Sequence, residues 1–103
     1  MRGMNDMLRQ AQLMQRKMAA LQEELGERRV EVSSGGGMVT VVCTGKQEVV
    51  SIKIDPAAVD PDDVDMLQDL VLTAVNEGLR QSKEMMEKEM GAITGGLKIP
   101  GLS

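Results

Sequence analysis

The 103-residue chain contains no histidine, no aromatic residue and a single cysteine. Because zinc sites are built mostly from Cys and His, these absences exclude an ordinary zinc centre. They also exclude a Cys–His or Ser–His nucleophile pair, and Cys43 alone cannot form a disulfide within the chain. The sequence therefore predicts a protein that is not an enzyme and that needs no metal, no cofactor and no small-molecule substrate.

Long apolar runs are also missing, so the sequence offers no segment that could span a bilayer. A lone cysteine without a secretory signal favours a reducing compartment, and we expect a cytoplasmic location.

Acidic residues outnumber basic ones and give a net charge of −4, which argues against a polyanionic partner. The charge is unevenly distributed, however. Residues 1–30 carry six basic and four acidic side chains, whereas residues 55–77 carry seven acidic and no basic ones. The acidity is confined to one segment, and both ends of the chain are mildly basic.

The first segment with a clear pattern predicts a helix over residues 4–25, with Gly26 at its C-terminal αL position. Its apolar residues recur in alternating steps of three and four, as in the a and d positions of a heptad. The members of this seam are Met4, Met7, Ala11, Met14, Met18, Leu21 and Leu25.

Three short strands follow the first helix, because apolar and polar residues alternate in three runs separated by Gly-containing turns. This pattern predicts an antiparallel meander with one apolar face. That face comprises Val30, Val32, Val39, Val41, Cys43, Val50, Ile52 and Ile54.

A second, long helix is predicted over residues 61–90, with Asp60 as N-cap and Pro61 at the first helical position. Residues 1–90 would then form a single domain. The Gly-rich residues 91–103 predict a loose C-terminal tail. The fold class is α+β: helix, three-stranded antiparallel meander, long helix.

A helix over residues 61–90 would be roughly 45 Å long and would project beyond so small a sheet. Its projecting part and that of the first helix both carry exposed apolar residues, so we expect a two-fold dimer with projecting helical arms. The residues assigned to the dimer contact and helix packing are Met4, Met7, Met14, Met18, Leu21, Met85 and Met86.

Three features have simpler interpretations than a functional site. Gly35–Gly37 lack the Lys-Ser/Thr of a phosphate-binding loop and favour a hairpin turn. The acidic cluster that begins at Asp60 is explained by helix capping better than by a cation site. Cys43 lies on the apolar face of its strand and favours a buried, inert thiol.

A basic stripe is the strongest functional pattern. Arg2, Arg9 and Arg16 recur every seven residues, opposite the apolar seam, where they could contact phosphates. The remaining candidates for DNA contact are Lys17, Arg80 and Lys83. Without aromatic rings the chain cannot stack bases as single-strand binders do. The pattern therefore favours backbone contacts with duplex DNA.

Two long stretches resemble the YbaB/EbfC family of nucleoid-associated proteins. They are MNDMLRQAQLMQRKMAALQEELGE and SGGGMVTVVCTGKQEVVSIKIDPAAV, and DMLQDLVLTAVNEGLRQSKE and the closing GLKIPGL add to the likeness. The resemblance implies a helix–sheet–helix protomer, a homodimer with helical arms, double-stranded DNA as partner, and a location in the nucleoid. It carries no catalytic residue. An alternative stays open, namely a coiled-coil adapter or chaperone-like protein that holds a protein partner through its Met-rich helices.

Overall fold

A computed structural model describes residues 2–94 of the chain. Helix α1 spans Arg2–Glu27, the strands β1, β2 and β3 span Arg29–Ser34, Val39–Thr44 and Val49–Ile54, and helix α2 spans Val64–Thr94. A short 3-10 turn, Pro56–Ala58, lies between β3 and α2. The predicted α+β order of helix, three strands and long helix is confirmed.

The sheet is the predicted antiparallel meander, with strand order β1-β2-β3. Val32 lies opposite Val41, and Val41 lies opposite Ile52. Gly35, Gly36 and Gly37 connect β1 to β2 with φ angles of 60°, 66° and 95°. Glycine adopts this left-handed region without steric cost, so the predicted hairpin turn is confirmed.

Helix α2 packs across β1 and β2 and forms the main core with them. The buried residues of this core are Val30, Val32, Val39, Val41, Cys43 and Ala74. A helix is about 10 Å wide and neighbouring strands lie about 4.8 Å apart, so one helix covers about two strands. The third strand is therefore left at the uncovered edge.

The apolar side chains of β3 are consequently not buried, contrary to the sequence-based expectation. Ile52 is 46% exposed and Ile54 is 40% exposed, although both lie on the face that α2 covers elsewhere. Val50 departs further from the expected pattern. A bulge places Val49 opposite Cys43 and Ser51 opposite Val42, so Val50 has no partner on β2. Such an extra residue breaks the strict alternation on which the prediction relied.

The predicted start of the second helix was wrong by three residues. α2 begins at Val64, and its N-cap is Asp63, whose Oδ1 accepts a hydrogen bond from the Met66 N–H at 3.2 Å. Asp60 instead stabilises the preceding turn, where its Oδ1 accepts from the Asp62 N–H at 2.9 Å. Pro61 belongs to that turn and not to the helix.

Helix α1 is longer than predicted at both ends, and Gly26 lies inside it. The expected αL conformation at Gly26 is absent, because the described residues with positive φ are Gln47 and the three hairpin glycines. The end of α1 is stabilised instead by Arg29, whose Nη1 donates to the carbonyls of Gly26 and Arg28. A basic side chain can satisfy the last carbonyls of a helix in this way.

The first part of the predicted tail is helical. Helix α2 continues to Thr94 and includes the first four residues, 91–94, of the predicted tail. Gly91 does not end the helix. The rest of that prediction, residues 95–103, lies outside the described residues.

Both helices are anchored at the β2–β3 turn. The Gly45 N–H donates to the Leu25 carbonyl of α1 at 2.8 Å. From α2, the buried Ser82 hydroxyl donates to the Thr44 carbonyl at 2.6 Å and accepts from the Gln47 N–H at 2.8 Å. These bonds fix where each helix leaves the sheet, and so they position the arm described next.

Beyond the sheet, the two helices project as a long arm. The radius of gyration over Cα atoms is 20.0 Å, against about 13 Å for a compact chain of this size. The helices run antiparallel, since Arg28 pairs with Glu89 while Ile93 lies beside Met14. The prediction of a projecting arm is confirmed.

Candidate nucleic-acid interface

The cations of α1 lie on the outer surface of this arm. Arg9, Arg16 and Lys17 are exposed, and within residues 2–94 none of the three forms a salt bridge. Arg9 and Arg16 are seven residues apart, so they lie on one side of the helix, about 10 Å apart along its axis. Arg2 is the first residue of α1, but its side chain lies outside the described residues. The predicted stripe therefore has two described members that are free to contact a ligand.

The arm has one basic and one acidic side. Residues 2–22 of α1 carry four basic residues and one acidic residue, Asp6. The facing end of α2 carries Glu84, Glu87 and Glu89 beside Lys83 and Lys88. A polyanion would therefore meet a favourable potential on the α1 side of the arm and a weaker one on the α2 side.

Arg80 is held by two carboxylates of its own helix. Its Nε donates to Glu77 Oε2 at 2.9 Å, and its guanidinium also forms salt bridges with Glu77 and Glu84. Hydrogen bonds from Arg80 lower the pKa of Glu77 to about 2, so this carboxylate stays charged at neutral pH. The positive charge predicted to bind DNA here is thus already compensated.

Lys83 is compensated more weakly than Arg80, because its Nζ lies 4.0 Å from Glu87 Oε1 and both side chains are well exposed. Exposed pairs of this kind contribute little to stability and are easily exchanged for another partner. Arg28, at the base of the arm, pairs with Glu89 at 2.9 Å and ties α1 to α2. The sequence analysis did not predict this pair, because the two residues are 61 positions apart and periodicity relates only residues within one element.

The acidic segment lies at the other end of the molecule. Asp60, Asp62 and Asp63 precede α2, whereas the arm is formed by its C-terminal part. From Val64 to Glu89 the helix rises about 37 Å, several times the Debye length at physiological salt. The charge of these three aspartates therefore has little effect on the potential at the arm.

The residues assigned to packing fall into two groups. Leu21 is buried, and Met14, Met18, Met85 and Met86 are partly buried. Met4 and Met7, at the tip of the arm, are 63% and 71% exposed. The seam is thus covered near the sheet and uncovered toward the N-terminus.

A second uncovered apolar surface was not predicted. It joins β3 to the side of α2 that faces away from β1, and we call it the β3–α2 face. Leu72, on this face, is 59% exposed. The sequence could have revealed this surface, because a single helix is too narrow to cover all three predicted strands. Its members are Ile52, Ile54, Leu67, Val71, Leu72 and Val75.

Other chemistry has little support in the described part of the chain. Among residues 2–94, no three Cys, Asp or Glu side chains lie close enough together to hold a metal ion. Cys43 is buried, and burial raises the pKa of its thiol, which disfavours the reactive thiolate. Neither helix within these residues combines the length and apolarity that a membrane crossing needs.

Fold and surface together define a class: a helix–sheet–helix fold with a cationic helical arm. Comparison with known proteins gives the family. The sequence profile of the YbaB/EbfC DNA-binding family matches residues 1–97, and the chain belongs to this family.

Similar bacterial proteins cover nearly the whole chain. A protein of Desulforamulus reducens named nucleoid-associated protein is 66% identical over 97% of this chain and 95% of its own length. A protein of Moorella thermoacetica with the same name is 62% identical over 98% of this chain and 97% of its own length.

The fold is also similar to a solved structure. The crystal structure of the uncharacterized protein HP0035 from Helicobacter pylori superposes with a TM-score of 0.76 at 26% identity. The match covers 82% of this chain and 89% of the other.

Proposed function

We propose that this protein binds double-stranded DNA in the bacterial nucleoid as a homodimer and contacts the phosphate backbone through the α1 side of its arms. The observation that carries the proposal is the pair of exposed arginines, Arg9 and Arg16, without salt-bridge partners among residues 2–94. Membership in a DNA-binding family also supports DNA as the ligand of this surface. Arg2 and Lys17 extend the proposed contact along the helix.

Backbone contact follows from the residue types available. Arginine and lysine side chains about 10 Å apart along a helix can each reach a separate phosphate, and such contacts carry no sequence information. The chain has no aromatic ring on which an unpaired base could stack. The protein should therefore prefer duplex to single strand and discriminate little between duplex sequences.

Arg80 and Lys83 take a secondary part in the proposal. DNA phosphates would have to displace Glu77 and Glu84 from Arg80, or Glu87 from Lys83, before either cation could bind them. Breaking these ion pairs offsets part of the binding free energy that each new phosphate contact provides. We expect these two residues to contribute less than the α1 stripe.

The dimer is proposed to form through the β3–α2 face. β3 is an edge strand, and its backbone and apolar side chains are both uncovered in the protomer. A second copy related by a two-fold axis would bury Ile52, Ile54 and Leu72 against the same residues of its partner. It would also remove the risk that an uncovered edge strand pairs with other chains.

Such a dimer carries two arms that can bind one duplex at two places. The two arms would contact the duplex at a fixed separation. If the phosphates of a straight duplex do not lie at that separation, the DNA must change conformation to reach both arms. Through this change the protein would influence the expression of nearby genes.

The experiment combines light scattering with fluorescence anisotropy. Leu72→Glu places a charge in the proposed interface, and Thr73→Glu places the same charge about 100° away around the exposed surface of α2. Wild type and Thr73→Glu should have twice the chain mass and bind two unrelated duplexes of equal length with similar affinity. Leu72→Glu should be a monomer with weaker duplex binding, and wild type should bind either single strand less tightly.

Two results would count against the proposal. If the wild type binds no duplex even at low salt, the DNA-binding function fails. If Leu72→Glu keeps the dimer mass, the dimer interface lies elsewhere. The DNA-binding function is then tested by the duplex affinity of the wild type.

A further inference from the structure

An apolar groove lies on the projecting end of α1, on the side of the helix that α2 covers nearer the sheet. Met4 and Met7 are 63% and 71% exposed there, and Leu8 is 58% exposed. A contiguous apolar strip of this kind on a small protein marks a surface for binding. We call it the Met groove, and its lining residues are Met4, Met7, Leu8, Ala11, Met14 and Ile93.

The shape of the Met groove suits an α-helix. Met4, Met7 and Met14 continue the seam of α1 on which Leu21 is buried beside Ala92 of α2. A seam with this heptad spacing packs against a second helix, whose side chains fit between its own. From Met4 to Met14 the seam extends about 15 Å, which is the length of about three helical turns. A helix could therefore take, at the tip of the arm, the place that α2 takes near the sheet.

The charge beside the groove favours an acidic helix. Lys17 lines the inner end of the groove, is exposed, and forms no salt bridge in the described part of the chain. Arg28 lies eleven residues further along α1, about three turns away on the same flank, and pairs there with Glu89 of α2 at 2.9 Å. Residues 2–22 carry four basic residues and a single acidic one, Asp6, so the potential around the groove is positive.

The Met groove and the proposed DNA-binding surface lie on different sides of α1. Arg9 is two residues from both Met7 and Ala11, so it lies about 160° around the helix from each of them. A duplex held by Arg9 and Arg16 would leave the groove open, and the apolar lining offers a phosphate no partner. The groove therefore needs an occupant other than DNA.

We propose that the Met groove binds an acidic amphipathic α-helix of another protein. The apolar stripe of that helix lies against Met4, Met7 and Leu8, and a carboxylate on its flank pairs with Lys17. Recognition of a helix in a groove uses apolar anchors spaced three and four residues apart, as the seam of α1 requires. The inference does not rest on DNA binding, and it gives the protein a second partner that it can hold while it is bound to DNA.

Fluorescence anisotropy of labelled synthetic peptides, titrated with the full chain in the absence of DNA, tests the proposal. The probe is a peptide of about 18 residues, long enough to be partly helical alone, with leucine at every third or fourth position and glutamate on both flanks. A second peptide has lysine in place of glutamate, and a third has the residues of the glutamate peptide in scrambled order. The glutamate peptide should bind saturably, and the other two should bind several-fold more weakly.

Variants of α1 locate the binding site of the peptide. Met7→Glu should weaken binding of the glutamate peptide at least about tenfold, because it removes an apolar anchor and adds a repelling charge. Gln12→Glu adds the same charge at an exposed position of α1 that does not line the groove, and it should bind almost as wild type does. Lys17→Gln should weaken binding several-fold. Since all three positions are exposed, circular dichroism should show the helix content of the wild type.

The proposal is overturned if the glutamate peptide binds no better than the lysine or the scrambled peptide, or binds Met7→Glu as tightly as Gln12→Glu. Two further results would overturn it by giving the groove another occupant. Peptide binding that appears only when the wild type is diluted and its mass falls would assign the groove to a second copy of the chain. Sedimentation with phosphatidylglycerol vesicles that Met7→Glu abolishes, without peptide binding, would assign it to a lipid surface.

Discussion

Gly78 of α2 lies directly against Cys43 of β2: a Cβ at position 78 would come within 2.8 Å of the Cys43 Sγ. It would also lie 3.3 Å from Cγ2 of Val32. The missing side chain lets the helix approach the centre of the sheet closely. This close approach explains a glycine inside a long helix, where it otherwise costs about 1 kcal/mol relative to alanine.

Gly78→Ala should therefore destabilise the fold, although alanine is the better helix former. Cys43 has a short side chain and is fully buried in the core, so a shift of its sulfur would displace packed neighbours. Overpacking of this kind costs about 1–3 kcal/mol, which exceeds the gain in helix propensity of about 1 kcal/mol. Chemical denaturation should show a lower free energy of unfolding.

Two controls accompany the Gly78 substitution. Gly91 is also in α2, but a Cβ there meets nothing within 4 Å, so Gly91→Ala should stabilise the protein. Removing the sulfur in Gly78→Ala/Cys43→Ala should recover part of the stability, as a double-mutant cycle would show. Equal shifts for Gly78→Ala and Gly91→Ala would mean that α2 does not approach the sheet this closely.

The start of α2 makes a separate prediction. Asp63→Ala should lower the free energy of unfolding by about 1 kcal/mol, because the Met66 N–H is then left without its cap. Asp60→Ala should have a smaller effect, since the turn that Asp60 stabilises is exposed. Urea denaturation of both variants checks the order. A larger decrease for Asp60→Ala would restore the helix start at Pro61 that the sequence favours.

The misplaced helix start shows why boundaries are difficult to predict from one sequence. Asp60 and Asp63 are both good N-caps, and Pro61 fits the first position after Asp60. The structure uses both carboxylates, one for a turn and one for the helix. Periodicity, in contrast, was sufficient to predict the presence and type of both helices and all three strands.

The burial of β3 could not be predicted from alternation alone. Ile52 and Ile54 alternate with polar residues just as Val39 and Val41 do, yet only the latter pair is covered by α2. Alternation identifies the apolar face of a strand, whereas the position of the helix decides whether that face is buried. The bulge at Val50 depends on pairing with β2 and has no signal within β3 itself.

The candidate site was predicted unevenly for a similar reason. Arg9 and Arg16 were found because a heptad seam fixes which residues lie opposite it. The sequence analysis did not predict that Glu77 and Glu84 hold Arg80, and these pairs are known only from the side-chain geometry. The sequence placed Arg80 and Lys83 among the candidates after the α1 stripe, and the structure separates them from it because both are paired with carboxylates.

That separation is tested most directly by the salt dependence of duplex binding. The variant Arg2→Gln/Arg9→Gln/Arg16→Gln removes the stripe, and Arg80→Gln/Lys83→Gln is the comparison on α2. Arg9 and Arg16 are exposed and form no salt bridge within residues 2–94, so circular dichroism and light scattering should show unchanged helix content and mass. Affinity for one duplex is then measured by anisotropy over a range of salt concentrations.

The slope of log affinity against log salt should fall by about 0.9 for each phosphate that an arginine no longer neutralises, and every arginine of the stripe occurs twice in a dimer. We predict a clearly flatter slope for the triple variant and a nearly unchanged one for Arg80→Gln/Lys83→Gln. A triple variant that keeps the wild-type slope, while the α2 variant flattens it, would contradict the assignment of the DNA-binding surface to α1.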